Sequence, residues 1–491
     1  MRVFAPHRPG AYIDSNTGHP VCPPTPWDLL VMIPSSSALT FKQETSATLR
    51  LALPLAAAAV AQMGMGLTDT ILLGSLGRDA LAAGGLGAGL FFTTTAIMQS
   101  GMTGVGVLTA HARGSGHVAR ISPVFRAGTI LALFASIPVM AVLAFLEPIL
   151  LALGEPAQLA HDVGRYELIL LLGAPASLLL ATQRNYLAAI NHPHVVMAVT
   201  IAALLLNGFL NYGLLHGAWG LPEMGYMGSA TASAIALWIM AAATALIIRT
   251  QSHMRSHLFA GAVDWKTVRE LYHMGWPIAA TVAVELFLFA ASGLMMGVLG
   301  NTALAAHQVA ISIASTTFMV PMAISQAVNV RVGFHLGAQA PTAARRAGMV
   351  SFMLGITFML VAAAVFLIFP RDLALLFNLD PAVPADAEVI ALVVGLLAVG
   401  AAFQVFDGAQ VIAAGALRGY KDTRLPMVLA AFSYWGVGFP VAWVMGFALE
   451  LGPTGVWWGL AIGLMVATLL LGARFWRLSH DVARNHSISG P

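Results

Sequence analysis

The chain has 491 residues, 58% of them hydrophobic and only 9% charged, with a mean hydropathy of +0.81 and a formal net charge of +3. Soluble domains carry about 25% charged residues, so a soluble single- or multi-domain protein is excluded and a polytopic membrane protein is expected. The single cysteine, Cys22, excludes an intrachain disulfide and a cysteine-built metal cluster.

Residues 1–45 differ from the rest. Pro6, Pro9, Pro20, Pro23, Pro24, Pro26 and Pro34 stand there among small polar residues, a composition that favours a disordered tail. No charged, apolar and small-residue succession marks a cleavable signal peptide. Twelve apolar stretches follow, each long enough to cross a bilayer as a helix. Their expected limits are 49–74, 82–109, 125–147, 165–187, 195–215 and 225–248, then 271–299, 304–330, 347–369, 387–416, 425–447 and 455–476.

Span 1 holds one acid, Asp69, between Thr68 and Thr70. Counted from Arg50 it lies roughly 28 Å along a helix, in the outer part of the bilayer. An unpaired charge at a span centre costs ~2.5–3.5 kcal/mol on insertion scales, so Asp69 is expected to face protein or a water-filled cavity. Span 5 carries Asn207 and Asn211 in LLLNGFLNYG. A spacing of four puts both amides on one helix face, as interhelical glue, as lining of a cation site, or both. Span 7 carries Glu285, and span 10 carries Asp407. The other eighteen acids fall in loops and tails on this reading, Glu167 among them, and no Lys or Arg is placed deep in a span. A neutral carboxyl serves proton coupling and an ionised one serves sodium or a cationic substrate; the residues alone leave both uses open. Trp219, Trp276, Trp457 and Trp458 read as interface anchors. His192, His194 and His307 read as structural rather than as metal ligands.

Charge in the connections tests the span count. With the N-terminus inside, 21 of the 24 Lys and Arg fall on the inner side, and only Arg78, Arg165 and Arg371 fall outside. This is the positive-inside pattern with no reversal midway, so both termini are expected in the cytoplasm.

The chain also repeats. A shift of 223 places Pro54 on Pro277, Gly74 and Gly77 on Gly297 and Gly300, Ala80-Leu81-Ala82-Ala83 on Ala303-Leu304-Ala305-Ala306, and Gly114 on Gly337. The expected fold is therefore all-α: two six-helix lobes related by a parallel pseudo-two-fold repeat about an axis along the membrane normal. The expected divisions are a tail at 1–45, a first lobe at 46–248, a cytoplasmic linker at 249–270, a second lobe at 271–476 and a cytoplasmic tail at 477–491. The acids break the repeat: Asp69 maps to Ser292, and Glu285 to Gln62. No Walker A loop is present, so ATP hydrolysis by this chain is not expected.

MGMGLTDT in span 1, LNGFLNYG in span 5, LAAHQVA with MVPMAISQAVNVRVGFHLG in span 8, and GALRGYKDTRLPM after span 10 resemble motifs of the multidrug and toxic compound extrusion (MATE) family, NorM branch. The resemblance covers residues 46–476. It implies a twelve-helix antiporter of the cell inner membrane that exports organic cations and drugs in exchange for H⁺ or Na⁺, with no other cofactor, no nucleic-acid partner and a monomeric state. It further implies that Asp69, Glu285 and Asp407 are coupling carboxylates, the latter two as candidate Na⁺ ligands. Asn207 and Asn211 match the family's span 5 asparagines as cavity residues, and Pro54 matches a proline implicated in a proton-linked bend. Some sodium-coupled members have a tyrosine one turn before the span 10 acid; here the cavity position holds Phe403, which weakens a sodium site. A flippase for lipid-linked oligosaccharides is the alternative within transport, but it calls for basic residues deep in the spans. An intramembrane enzyme is a more remote alternative; it calls for a metal-binding acid cluster that three acids on separate spans do not provide.

Overall fold

The computed structural model describes residues 12–13, 20–21, 40–251, 262–377 and 379–488. Residues before Thr40 form a unit of their own. Within it Tyr12–Ile13 pairs antiparallel with Pro20–Val21. The remainder of the expected tail lies outside the described residues, as does most of the linker.

From Thr40 onward the described chain is helical. Twelve helices are long and apolar enough to cross a membrane. They are Phe41–Ser75, Arg78–Gly114, Val118–Ala144, Ala157–Ala189, Pro193–His216 and Tyr226–Thr250, then Trp265–Leu299, Asn301–Gly337, Pro341–Ile368, Pro384–Gly419, Arg424–Ala448 and Gly452–Ile488, and are called spans 1 to 12 below. Several extend past the apolar stretches. Span 1 begins at Phe41, because Thr40 and Gln43 form a capping box; residues 41–45, counted above with the tail, are its first turn. Span 12 continues helical to Ile488, through most of the segment expected to be a C-terminal tail.

The repeat is visible in the backbone. Spans 1 and 7 both have 35 residues, an internal proline (Pro54 and Pro277) and a polar N-cap (Thr40 and Asp264). Spans 2 and 8 both run 37 residues. Each pair is joined across a glycine in a conformation that L side chains rarely adopt, Gly77 at φ 111° and Gly300 at φ 119°. A β-carbon there is strained, which is why these glycines align in the sequence.

Within the first half, span 5 packs against spans 1 and 6, and span 4 against spans 2, 3 and 6. Within the second, span 10 packs against spans 8, 9 and 12, and span 11 against span 12. Each half has its own apolar core, and two further clusters mix residues of both halves. The halves meet where spans 1 and 2 lie on span 8 and spans 2 and 3 lie on span 7.

Those meetings gather at one end of the bundle. A β-carbon on Gly275 would stand 2.6 Å from the Gly101 carbonyl oxygen, and β-carbons on Gly114 and Gly337 would strike the Phe334 and His111 carbonyls. Arg331 donates two hydrogen bonds to Glu44, at 2.8 and 2.6 Å, with His335 Nε2 3.4 Å from the same carboxylate. This pair is almost fully buried, at 3% and 1% side-chain exposure. Near it Glu270 receives Arg120 at 2.8 Å and Lys421 at 3.2 Å, and His111 Nε2 lies 3.1 Å from the Gly419 carbonyl. Toward the middle of the bundle the Thr316 hydroxyl approaches Met63 Sδ at 3.8 Å.

Candidate functional site: two unlike carboxylate clusters

In the first half the structure brings together Asp69, Asn207 and Asn211. The Asn211 amide donates to Asp69 Oδ1 at 2.5 Å, and the Ser233 hydroxyl donates to Asp69 Oδ2 at 2.8 Å. Behind them Asn207 donates to Ser233 at 3.2 Å, and Asn211 to Ser229 at 3.3 Å. Asn207 and Asn211 are fully buried. The spacing of four residues makes this possible twice: Asn207 and Asn211 on span 5 face Ser229 and Ser233 on span 6. All four partners are neutral. The carboxylate is held by hydrogen bonds alone, and the Asn207 and Asn211 side-chain oxygens are buried without a partner. A protonated Asp69 can donate where an ionised one can only accept, so these amide oxygens offer acceptors for the neutral state.

The second half is built otherwise. Gln410, one turn after Asp407, turns its amide toward both acids, 3.1 Å from Glu285 Oε1 and 3.5 Å from Asp407 Oδ1. Two carboxylates from spans 7 and 10 thus share one donor. The Tyr434 side chain is buried beside them, its hydroxyl without a partner. It lies in span 11 where the backbone widens into π-helical turns, Phe432–Gly438, a local feature that often marks functional positions. The expectation that no basic group neutralises these acids needs correction: the Arg418 guanidinium, two turns past Gln410, acts electrostatically on Glu285.

The other sequence candidates fall as follows. Pro54 lies inside span 1, fifteen residues before Asp69. Phe403 is 1% exposed and packs edge-on to Phe289 and beside Trp457, so in this conformation it is covered by the second core. Trp457, expected at the interface, is fully buried and donates to His307 Nδ1 at 3.1 Å. His307 is therefore a structural acceptor. Among the described residues no three His, Cys, Asp or Glu side chains converge as metal ligands.

The sequence reading missed Ser229, Ser233, Gln410 and Tyr434, since hydroxyls and single amides are common in spans and only their register marks them. It also misplaced Glu167. This acid, assigned to the outer loops, is completely buried in span 4.

Comparison with known proteins agrees with this architecture. The MatE family model matches residues 54–213 and 277–444, one block in each half. The chain is 46% identical over 442 residues to the "Probable multidrug resistance protein NorM" of Burkholderia mallei (strain ATCC 23344), covering 90% of this chain and 94% of that protein. Among solved structures it resembles the eukaryotic MATE transporter AtDTX14, with a TM-score of 0.81, 19% identity and coverage of 91% and 99%. It also resembles an outward-facing multidrug resistance MATE family transporter of the MOP superfamily, with a TM-score of 0.81, 18% identity and the same coverage. The chain belongs to the MATE family and is a polytopic membrane transporter, not an enzyme.

Proposed function

We propose that the protein exports organic cations and related drugs across the cell inner membrane in exchange for H⁺ or Na⁺, as a monomer, by alternating access between its two lobes. The observation that carries this reading is Asp69, an acid deep in an apolar lobe held only by neutral donors. Such a group binds or releases a proton without breaking an ion pair, and ligands that share a conformational equilibrium with it are coupled to it. The multidrug resistance names of the relatives support drugs as cargo.

The charge distribution supports a cytoplasmic position for both termini. The closed end of the bundle, with Glu44–Arg331 and the Gly101–Gly275 crossing, is then cytoplasmic, and the conformation faces outward. Pro54 removes one backbone hydrogen bond from span 1 and supplies the place where that span can bend. In the second lobe Glu285, Asp407 and the Tyr434 hydroxyl present oxygen donors suited to Na⁺ or to a cationic drug. The flippase alternative loses support because the described cavity-side groups are acids and amides, with Arg418 near the inner end only.

The test is transport of a fluorescent organic cation by the purified protein in proteoliposomes, with H⁺ and Na⁺ gradients imposed separately. Substrate movement against its own gradient under either ion gradient supports antiport. Movement that follows only the substrate's gradient under both contradicts it.

A further inference from the structure

Glu167 stands apart from the other acids among the described residues. Its side chain is completely buried and neither carboxylate oxygen has a hydrogen-bond partner. It packs on the backbone of span 2: a β-carbon on Gly87 would sit 3.5 Å from Glu167 Oε1 and 2.7 Å from the neighbouring Tyr166 ring, and the Phe91 backbone amide approaches the carboxyl from the next turn without completing a hydrogen bond. A carboxyl kept as interhelical glue would hold a donor, as Asp69 does. An ionised one without a partner is costly in an apolar span. Burying it here contributes nothing evident to the fold.

Its surroundings lead to the first-lobe site. Tyr166, the residue before it, lays its ring on Gly87 of span 2 and comes near Ser229 on span 6, its buried hydroxyl making no hydrogen bond. Ser229 accepts from Asn211, which donates to Asp69. Between the two acids stand Tyr166, Ser229 and Asn211, all uncharged; the hydrogen bonds run from Ser229 through Asn211 to Asp69 and stop short of Tyr166, whose hydroxyl is buried without a partner. Among the described residues no basic side chain pairs with Glu167. Span 2 offers it Gly87 and Phe91. On the preceding short helix, Leu146–Ala152, Glu147 is held by His161 at 3.2 Å and packs on Gly164, one turn away. Asp162 is engaged by Tyr226 and Gln158 farther out.

We propose that Glu167 is a second proton-binding carboxyl of the first lobe. It holds a proton on one carboxyl oxygen in the conformation seen here and releases it to water when the lobe rearranges to take its cargo, in step with Asp69. The ligand is H⁺, and the group is restored when the carboxylate takes a proton back from the opposite aqueous phase. This inference rests on the antiport reading and adds a group to it.

The test counts protons. Purified protein in weakly buffered detergent solution is saturated with tetraphenylphosphonium, and the H⁺ released is measured for the wild type, Glu167→Gln and Asp69→Asn. The proposal expects Glu167→Gln to bind the cation yet release about one proton fewer per transporter, as linkage requires, and to transport with a flattened pH profile. An unchanged proton count and pH profile in Glu167→Gln overturns it. If Asp69→Asn lowers the count and Glu167→Gln does not, this inference fails alone; if neither lowers it, proton antiport through the first lobe fails as well. Should Glu167→Gln not fold, infrared difference spectra of a protein carrying Asp69→Asn, Glu285→Gln and Asp407→Asn, taken between acidic and alkaline pH, decide the matter. A buried protonated-carboxyl band that is lost as the pH rises supports Glu167, and the absence of any such band overturns it.

Discussion

The two lobes share a backbone and differ in the chemistry hung on it. Spans 1 and 7 match in length, internal proline and N-cap, and spans 2 and 8 match in length and in the glycine that precedes them. Yet Asp69 in the first lobe is held by Asn211 and Ser233, while Glu285 and Asp407 in the second share Gln410 and feel Arg418. One acid among neutral donors can change its proton occupancy with only hydrogen bonds rearranging. Two acids on one donor need a proton, a cation or a nearby guanidinium to coexist. The prolines, glycines and packing recur in both lobes while the surroundings of the carboxylates differ; on the proposed antiport reading, the first lobe would handle H⁺ and the second a cation.

A second contrast runs along the bundle. The end with Glu44, Arg331 and the paired glycines is closed by buried charge and bare backbone, and this closure is the easiest part of the account to break. Arg331→Ala leaves Glu44 buried with only His335 beside it. Losing one partner of a buried pair costs about 3–5 kcal/mol, so a clear drop in the thermal unfolding midpoint in detergent is expected, partly recovered in the Glu44→Ala/Arg331→Ala double variant. Equal midpoints for wild type and Arg331→Ala would mean the pair does not hold the lobes. Next in size is Gly114→Leu. Its side chain meets the Phe334 carbonyl, overpacking that costs about 1–3 kcal/mol, and spin labels on spans 2 and 8 should report a wider separation at this end; an unchanged distance distribution removes the close approach from the account.

Within the clusters the expected effects are smaller. Gln410→Ala deprives both second-lobe acids of their shared donor, a hydrogen bond to a charged group being worth about 1.5–3 kcal/mol. It should weaken binding of an organic cation roughly tenfold or more, as read by fluorescence titration, while proton-driven transport through the first lobe persists; loss of the proton-driven component instead would show that the lobes are not chemically separate. Ser233→Ala removes one of two bonds to Asp69 and should slow proton-driven efflux by several-fold at about 1 kcal/mol. Ser229→Ala, which touches only Asn211, should slow it less, and the reverse ranking would contradict the geometry drawn around Asp69.

Much of this was legible in the sequence where the physics leaves one choice. Twelve spans follow from apolar length, and the repeat showed because a proline inside a helix and a glycine at φ above 100° tolerate few substitutes. Asp69, Asn207 and Asn211 stood out because each is polar in an apolar stretch, and their meeting followed from a shared need for partners. Glu167 escaped because it lies near a span end, where an acid reads as a headgroup residue. Glu44 and Arg331, 287 positions apart, read as ordinary loop charges for the same reason. Trp457 looked like an interface anchor because an indole at a span end usually is; in the structure it is buried in the second core, and its indole N–H is satisfied by His307 from another span.

Asp69 is the proposed proton-coupled group of the first lobe. The direct measurement is proton-driven transport of an organic cation in proteoliposomes by Asp69→Asn beside wild type, normalised to protein content and followed across pH. The variant keeps the shape of the neutral acid and removes a buried charge, so it should insert and fold, bind the cation, and lose proton-driven transport together with its pH dependence. Transport at the wild-type rate with an unchanged pH profile would make Asp69 a structural residue and leave coupling to Glu285 and Asp407.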